Sequence, residues 1–394
     1  MKRRNFFVGI TAVIGAGVMG AVSCNFPTVR KIFYKVLDRI NPASGPESDS
    51  DREDAVLPHE GMSVSVETAL NSRCTSDYDD NVWLFHWGMF DKKRKLTKVQ
   101  IEQIVSYAKV PRFTDGEIRI AVENDLLTFI VGTGAEQPLR DWMMVESGMQ
   151  QQAIGLVCAA LGAGYVFNTL GGEGQALSND TFATVRMTMG AMKPSYNGVF
   201  WSSGAPGKNQ SGKGIALSDP KRHGTKPLIT VMNGLKTVND AGRNATESDM
   251  SQLVWAARGR TPHYYKSDPW GMTIPTYQGI NTISEVYCIN EGRIMKYINW
   301  QANRPAHSLE QIGTTDAASK ERLTGRFKGK TWLIVLNKND AMARALWEIG
   351  YQLMNLLAQA RALEVKYEAV LLDENQKRLF AAIGIPGPVA LFAI

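Results

Sequence analysis

Cysteine and histidine are scarce, four and five in 394 residues. Cys24 lies near the N-terminus. The other three, Cys74, Cys158 and Cys288, are widely separated and odd in number, which argues against a disulfide framework. No C-x-x-C or H-E-x-x-H spacing occurs, so no metal is expected. A G-x-S-x-G elbow is also missing, which sets aside Ser–His–Asp hydrolysis of that type. Charge of one sign is in small excess, net +6, gathered in runs such as Lys92-Lys93-Arg94-Lys95 and Lys221-Arg222-His223. Neither run carries interleaved aromatics, so both read as solvated surface, and nucleic acid is not an expected partner. What is present, 44% hydrophobic and 21% charged residues over a length sufficient for two domains, is the composition of a folded globular body.

Residues 1–24 read as a targeting segment. Lys2-Arg3-Arg4-Asn5-Phe6-Phe7 precedes an apolar run from Val8 to Val22, and Ala21-Val22-Ser23 leads into Cys24. The arginine pair resembles a twin-arginine signal, and the small residues before Cys24 resemble a lipoprotein cleavage site. An uncleaved membrane anchor is the alternative, because the run is close to spanning length. Residues 25–60 read as an acidic linker. Its first part is a candidate amphipathic helix (Val29, Ile32, Phe33, Val36, Leu37, Ile40), and NPASGPESDSDRED follows as a polar tether.

Two phosphate-loop patterns fail on context. Gly15-Ala16-Gly17-Val18-Met19-Gly20 spells G-x-G-x-x-G, but Pro27 falls inside the helix it would need, and no second strand ends in an acidic residue. Gly207-Lys208-Asn209-Gln210-Ser211-Gly212-Lys213-Gly214 has Gly214 where a metal-binding hydroxyl belongs, and reads as a flexible basic loop.

The body divides into two halves, residues 61–200 and 227–394, joined by 201–226 as a flexible linker or a lid. The first half predicts helices over Val64–Ser72 and Leu96–Ala108. A strand pair follows at Ile118–Val122 and Leu126–Val131 around Asn124-Asp125, then a long helix over Asp141–Leu161 and a strand over Ala183–Met192. The second half repeats that grammar. Met250, Leu253, Val254 and Ala257 recur at helical spacing after Thr246 or Ser248 as cap, and Gly259 stops the helix. Strands at Ile283–Ile289 and Thr331–Leu336 follow, then a long helix over Ala341–Leu363 and the apolar tail Pro388–Ile394. The two long helices share a pattern, Glu146-Ser147-Gly148 in one and Glu348-Ile349-Gly350 in the other. Internal duplication is therefore expected.

The stretch Met250-Ser251-Gln252-Leu253-Val254-Trp255-Ala256-Ala257-Arg258-Gly259, followed by a Tyr-rich loop and Pro275-Thr276, resembles the nitroreductase-like flavoprotein family. Within it, the azoline-dehydrogenase (SagB-type) branch is most similar. The departures are Thr276 for a usual Ser, Met272 for a usual Arg, and a loop one residue longer. Both long helices also resemble that family's central dimerisation helix. The resemblance implies an α+β, nitroreductase-like fold in which the halves form an intramolecular pseudo-dimer with central antiparallel sheets and long core helices. It also implies one flavin mononucleotide (FMN) between the halves, since a phosphate calls for a guanidinium fork with hydroxyl and amide donors.

On that resemblance Arg73 and Thr75, in Arg73-Cys74-Thr75 just after a helix, face the phosphate, and Pro275 and Thr276 form the loop from the other half. The equivalent of Arg73 is missing from Leu235-Lys236-Thr237, and nothing like the Pro-Thr loop occurs around Val110-Pro111-Arg112, so the mirror site is degenerate. Leu161-Gly162-Ala163-Gly164 through Gly171 and Gly172 resembles the turn whose amide faces flavin N5. Lys193 or Lys208 is a candidate second cation, and Asn281 a candidate partner for the ring edge. Tyr264, Tyr265, Trp270 and Tyr277 are candidates for stacking on substrate or for a small local core. No general base stands out.

The implied activity is FMN-dependent oxidation or reduction of a small molecule outside the cytoplasmic membrane, with a quinone or redox protein as electron partner. A flavin-binding or flavin-storing protein without turnover is the alternative. A membrane attachment by lipid or anchor and a monomeric pseudo-dimer complete the expectation.

Overall fold

Leu127, Phe129 and Val131 are buried while their neighbours are only half-buried, and that period of two makes Leu126–Gly132 a strand with one face on the core. The computed structural model describes residues 53–57, 63–72, 90–91, 93–132, 139–168, 176–178, 181–182, 186–192, 214–261, 271–275, 283–301, 304–327, 329–339 and 343–394. The expected signal over 1–24 lies outside them, as does most of the linker. Residues Asp54–Ile394 form one unit.

The first half contains α1 (Val66–Ser72), α2 (Lys98–Tyr107), β1 (Ile118–Glu123), β2 (Leu126–Gly132), α3 (Leu139–Leu161), β3 (Ala163–Asn168) and β4 (Arg186–Ala191). Thr97 caps α2, its hydroxyl accepting from Gln100 N–H while the Gln100 side chain returns the bond. β1 and β2 form a hairpin whose turn places Asn124 at φ 54°, a conformation Asn tolerates better than most residues. The strands lie in the order β1-β2-β4-β3, each pair antiparallel. The expected strand over Ala183–Met192 is seen over Arg186–Ala191, with 183–185 outside the described residues. Of the segment expected as a Gly-rich turn from Leu161 to Gly172, the part Ala163–Asn168 is β3, and 169–172 lie outside the described residues. Among the described residues of that segment Gly162, at φ 80°, makes the turn.

The second half contains β5 (Ile215–Ala216), α4 (Leu228–Gly234), α5 (Glu247–Arg258), β6 (Arg260–Thr261), β7 (Gly271–Met272), β8 (Ser284–Asn290), β9 (Arg293–Gln301), β10 (Arg304–Thr314), α6 (Ala317–Arg326), β11 (Leu333–Lys338), α7 (Ala343–Leu363), β12 (Tyr367–Leu371), α8 (Glu374–Ala382) and β13 (Pro388–Ala393), with a two-residue edge strand at Asn239–Asp240 beside β12. Four of its strands run β8-β11-β13-β12, all antiparallel. This is the strand order of the first half: strand, strand, long helix, then two more strands. Leaving α7, Glu364 at φ 57° takes the place that Gly162 holds after α3. One difference is an insertion, the hairpin β9–β10, which adds two strands beyond β8 with β5 at their edge.

α3 and α7 form the centre. Both are buried on nearly every face, because each lies between its own sheet and the other helix. They cross where the shared glycines meet. A Cβ on Gly350 would stand 2.1 Å from the Val145 carbonyl oxygen and 2.8 Å from Gly148 Cα, and one on Gly148 would stand 2.4 Å from the Trp347 carbonyl oxygen. Backbone touches backbone there, so only glycine fits on either helix. On the far face of the second sheet, α6 and α8 cover Tyr287, Ile289, Leu333, Val335 and Leu391 with Leu323, Phe327 and Phe380. The expected α+β architecture of two related halves, antiparallel sheets and long core helices is the one observed.

Candidate functional site

α5 delivers the chain to the seam between the halves. Thr246, not Ser248, caps it. The Thr246 hydroxyl accepts from Asp249 N–H (3.2 Å), and Asp249 accepts from Thr246 N–H (2.8 Å) and from Arg243 (2.6 and 2.8 Å). Burial pushes the Asp249 carboxyl up, but the bonds from Arg243 and Thr246 prevail and hold it at about 2. At its other end Trp255 fills the core, and the Gly259 N–H donates back to the Trp255 carbonyl (2.5 Å). A Cβ at Gly259 would lie 2.1 Å from the Trp255 ring, so glycine is required where the chain leaves the helix.

Past Gly259 the chain forms a two-strand ribbon, Arg260 opposite Met272 and Thr261 opposite Gly271. Beyond it both halves grip the same carbonyl. Gln152 Nε2 on α3 (3.0 Å) and Asn355 Nδ2 on α7 (3.1 Å) donate to Thr273 O. Gln152 also donates to Asn355 Oδ1 (2.8 Å), and Asn355 to Ala256 O (2.9 Å). Gln152, Asn355 and Thr273 are all buried, so these bonds are shielded from water. Pro275, two residues on, is buried and thereby fixed at the meeting of α3 and α7.

A buried ion pair backs this turn. Arg258 reaches Glu348 Oε2 (3.2 Å) and Ser284 Oγ (2.7 Å). Ser284 donates to the same carboxylate (2.6 Å), and Gln352 Nε2 donates to Ser284 (2.9 Å). The first half has the counterpart, differently used. Glu146, at the equivalent place on α3, accepts from Arg112 Nε (2.9 Å), from Thr114 N–H and Oγ1 (each 2.8 Å) and from Phe113 N–H. Its carboxylate therefore occupies the amides of its own loop, around Arg112. In Leu235-Lys236-Thr237, the segment read as the counterpart of Arg73-Cys74-Thr75, the Thr237 hydroxyl donates to the Asn239 carbonyl.

Two further groups lie beside α5. Ser251 Oγ donates to Ser218 O (2.8 Å), so its contact with His307 Nε2 (2.9 Å) must be donated by the ring. His307 Nδ1 then accepts from the Tyr297 hydroxyl (2.8 Å). Burial and the Arg222 cation lower the His307 pKa to about 4. The serine proton points at a carbonyl rather than at a base, so this Ser–His–Tyr chain holds structure together and does not activate a nucleophile. Cys158 and Cys288 are equally inert, their thiols pushed up to about 12 by burial. Arg222, expected as solvated surface, is instead half-buried: its Nη1 donates to Asn71 Oδ1 (3.1 Å) and Arg260 O (3.2 Å), and it stands over the Trp255 ring at 5.7 Å. Arg260 stacks on Trp300 at 4.6 Å.

Of the expected site residues the structure places Pro275. Arg73, Thr75, Gly171, Gly172, Lys193, Lys208, Thr276 and Asn281 lie outside the described residues, as do Tyr264, Tyr265, Trp270 and Tyr277. Arg73 follows directly on α1, whose last turn carries Asn71. Gln152, Asn355, Arg222, and the Arg258–Glu348 pair carry the geometry of the seam and were not singled out as site residues. The available signal was the run of amides and carboxylates, Glu146, Gln151 and Gln152 in α3 and Glu348, Gln352 and Asn355 in α7, within helices otherwise rich in apolar residues.

No protein-family model matches this chain, and no curated protein matches it. Solved structures similar to it include a candidate nitroreductase from Ralstonia eutropha JMP134, 19% identical over 49% of this chain and 94% of that one, with a TM-score of 0.35. A candidate nitroreductase from Anabaena variabilis ATCC 29413 is 13% identical over 68% of each chain, TM-score 0.43. One from Thermotoga maritima MSB8 is 10% identical over 85% of this chain and 96% of that one, TM-score 0.37.

Proposed function

We propose that this chain is an FMN-dependent oxidoreductase of the nitroreductase-like type, a tandem duplication with one flavin per chain held between its halves. The observation that carries the reading is the double grip on Thr273, in which Gln152 of one half and Asn355 of the other fix the turn that ends in Pro275. The amides of the equivalent loop of the first half, Phe113 and Thr114, are already bonded to Glu146, which favours the second-half turn as the flavin loop.

The donor set fits such a cofactor. Pro275 presents a rigid backbone at a shielded seam, the Gln152 carbonyl is buried without a partner among the described residues, and Arg222 brings a cation to Arg260, at the start of the ribbon that leads to Pro275. Pro275 and Thr276 would hold the ring side, and Arg73 and Thr75 the phosphate. When bound, the flavin supplies hydride acceptance and donation at N5. The residues of this chain orient it and exclude water. Among the described residues no thiol, serine or histidine is poised as a competing nucleophile.

The Arg3-Arg4 leader supports export in the folded, cofactor-loaded state by the twin-arginine route. We extend the reading to a membrane-attached protein outside the cytoplasmic membrane that acts on a small molecule, with a quinone or redox protein as electron partner. The test is an absorbance spectrum of the purified chain with quantification of released flavin, where close to one FMN per chain is expected. A colourless preparation that also refuses added FMN would overturn the proposal. Reduction with dithionite and a screen of acceptors for reoxidation then separates an oxidoreductase from a protein that only stores flavin.

A further inference from the structure

Arg222 is a half-buried cation whose hydrogen-bond partners are all neutral. Nη1 serves both Asn71 Oδ1 and the Arg260 carbonyl, and the Trp255 ring lies beneath the guanidinium. Among the described residues no carboxylate comes within 4.0 Å of it. Asp219 acts on it only through space, and burial lowers its pKa, which marks partial loss of solvent around a group that stays charged at any ordinary pH. Withdrawing a guanidinium from water without a partnered anion is unfavourable, so a fixed one suits an anionic ligand.

The placement is specific. Asn71 belongs to the last turn of α1, which leads into Arg73, and Arg260 opens the ribbon that leads to Pro275. Arg222 therefore ties together the two walls between which the cofactor is proposed to lie. No hydrogen bond from Nε or Nη2 is present among the described residues, so the side of the fork away from Nη1 can meet two oxygens at once.

Resting on the reading above, we propose that Arg222 supplies the second cation to the terminal phosphate of FMN, the role first assigned by sequence to Lys193 or Lys208. Its lever is charge plus a preset fork, with Asn71, the Arg260 carbonyl and Trp255 fixing the plane in which it donates. Phosphate binding then also stiffens the link between α1 and the ribbon, because one side chain touches both.

Riboflavin lacks the phosphate and isolates this contact. The flavin-stripped full chain is titrated with FMN and with riboflavin by fluorescence quenching, as wild type, Arg222→Ala and Arg222→Gln. Gln keeps an amide donor for Asn71 and the Arg260 carbonyl but removes the charge, which guards against a variant that fails only because it folds badly. The expected result is a loss of about ten- to a hundredfold in the preference for FMN in both variants, with riboflavin affinity unchanged. A preference that is unchanged, or affinities for the two flavins that fall together, would overturn the assignment and leave Arg222 a structural tie. A wild-type chain that binds neither flavin overturns the cofactor reading itself, and this inference with it.

Discussion

The two halves use one frame for different ends. Each has four antiparallel strands in the same order, a long central helix, and a buried glutamate one turn into that helix's apolar stretch that is gripped by an arginine from earlier in the same half. In the first half the glutamate closes the arginine's own loop by accepting from two backbone amides and a hydroxyl. In the second half it accepts from the side chains of Arg258 and Ser284, and Thr273, beyond Gly259, is held from both sides of the seam. The same buried carboxylate thus binds backbone of its own loop in one half and the Arg258–Ser284 side chains in the other.

The largest test of that comparison removes each carboxylate in turn. Glu348→Ala leaves Arg258, whose side chain is only 4% exposed, as a buried unpaired charge, whereas Glu146→Ala leaves Arg112, 35% exposed, able to rehydrate. Breaking a fully buried pair from one side costs about 3–5 kcal/mol. Losing Glu146 costs about 1–3 kcal/mol, for the amides it satisfied. Denaturant titration of the two variants should therefore show the second-half change as the more damaging. Equal losses, or the reverse order, would break the distinction drawn between the pairs.

The glycine crossing sharpens the other half of the comparison, what the two helices share. Gly350→Ala pushes a methyl group against the Val145 carbonyl and Gly148 Cα, backbone that cannot swing away, and is expected to cost roughly 3 kcal/mol. Gly325→Ala in α6, where nothing lies within 4 Å, is expected to be neutral or to stabilise by about 0.5 kcal/mol. Comparing thermal midpoints of the two variants checks this, and a tolerated Gly350→Ala would mean the helices do not meet as closely as described.

Much of this frame was legible in the residues. The Glu-x-Gly pair in both long helices marked a repeated packing point, the apolar spacing from Met250 to Ala257 marked α5, and Asn124-Asp125 between two alternating runs marked the first hairpin. Several elements escaped, and the reasons for some are physical. Leu228–Gly234 carries Ile229-Thr230-Val231, β-branched residues that weaken a helical signal, and it folds as α4 because Leu228, Val231 and Met232 are buried. Ala163–Asn168 begins with Ala-Gly and looks like a turn, but pairing with β4 along its whole length makes it a strand. The β9–β10 hairpin has no counterpart in the first half, so a repeat-based reading had nothing to align it with. The seam was legible only in part: Pro275 stood out by its dipeptide, whereas Gln152, Asn355 and Arg222 matter through residues more than a hundred positions away, which local pattern does not reveal.

That inserted hairpin brings the smallest but most specific expected effect. His307 on β10 is buried and neutral, bonded to Ser251 and to Tyr297 on β9, and the described residues of the first half include no equivalent chain. The groups acting on it are burial and the Arg222 cation, which lower its pKa, and the Ser218 backbone, which raises it; together they bring it from 6.5 to about 4. The sign follows from linkage. The folded state resists a proton that the unfolded chain accepts, so stability is full above about pH 6.5 and is lost as pH falls toward 4, by about 2 kcal/mol at pH 5. Asp249, held at about 2, titrates below that window, its contribution being present above about 3.8 and lost as pH falls through 2, so the two can be separated. Unfolding free energies measured at several values between pH 8 and pH 4.5 for wild type and His307→Gln, which can hydrogen-bond but not titrate, should differ in slope below pH 6.5 and not above it. Parallel curves would show that the imidazole protonates without opposition, and that the second half's insertion leaves the molecule no more acid-sensitive than its partner half.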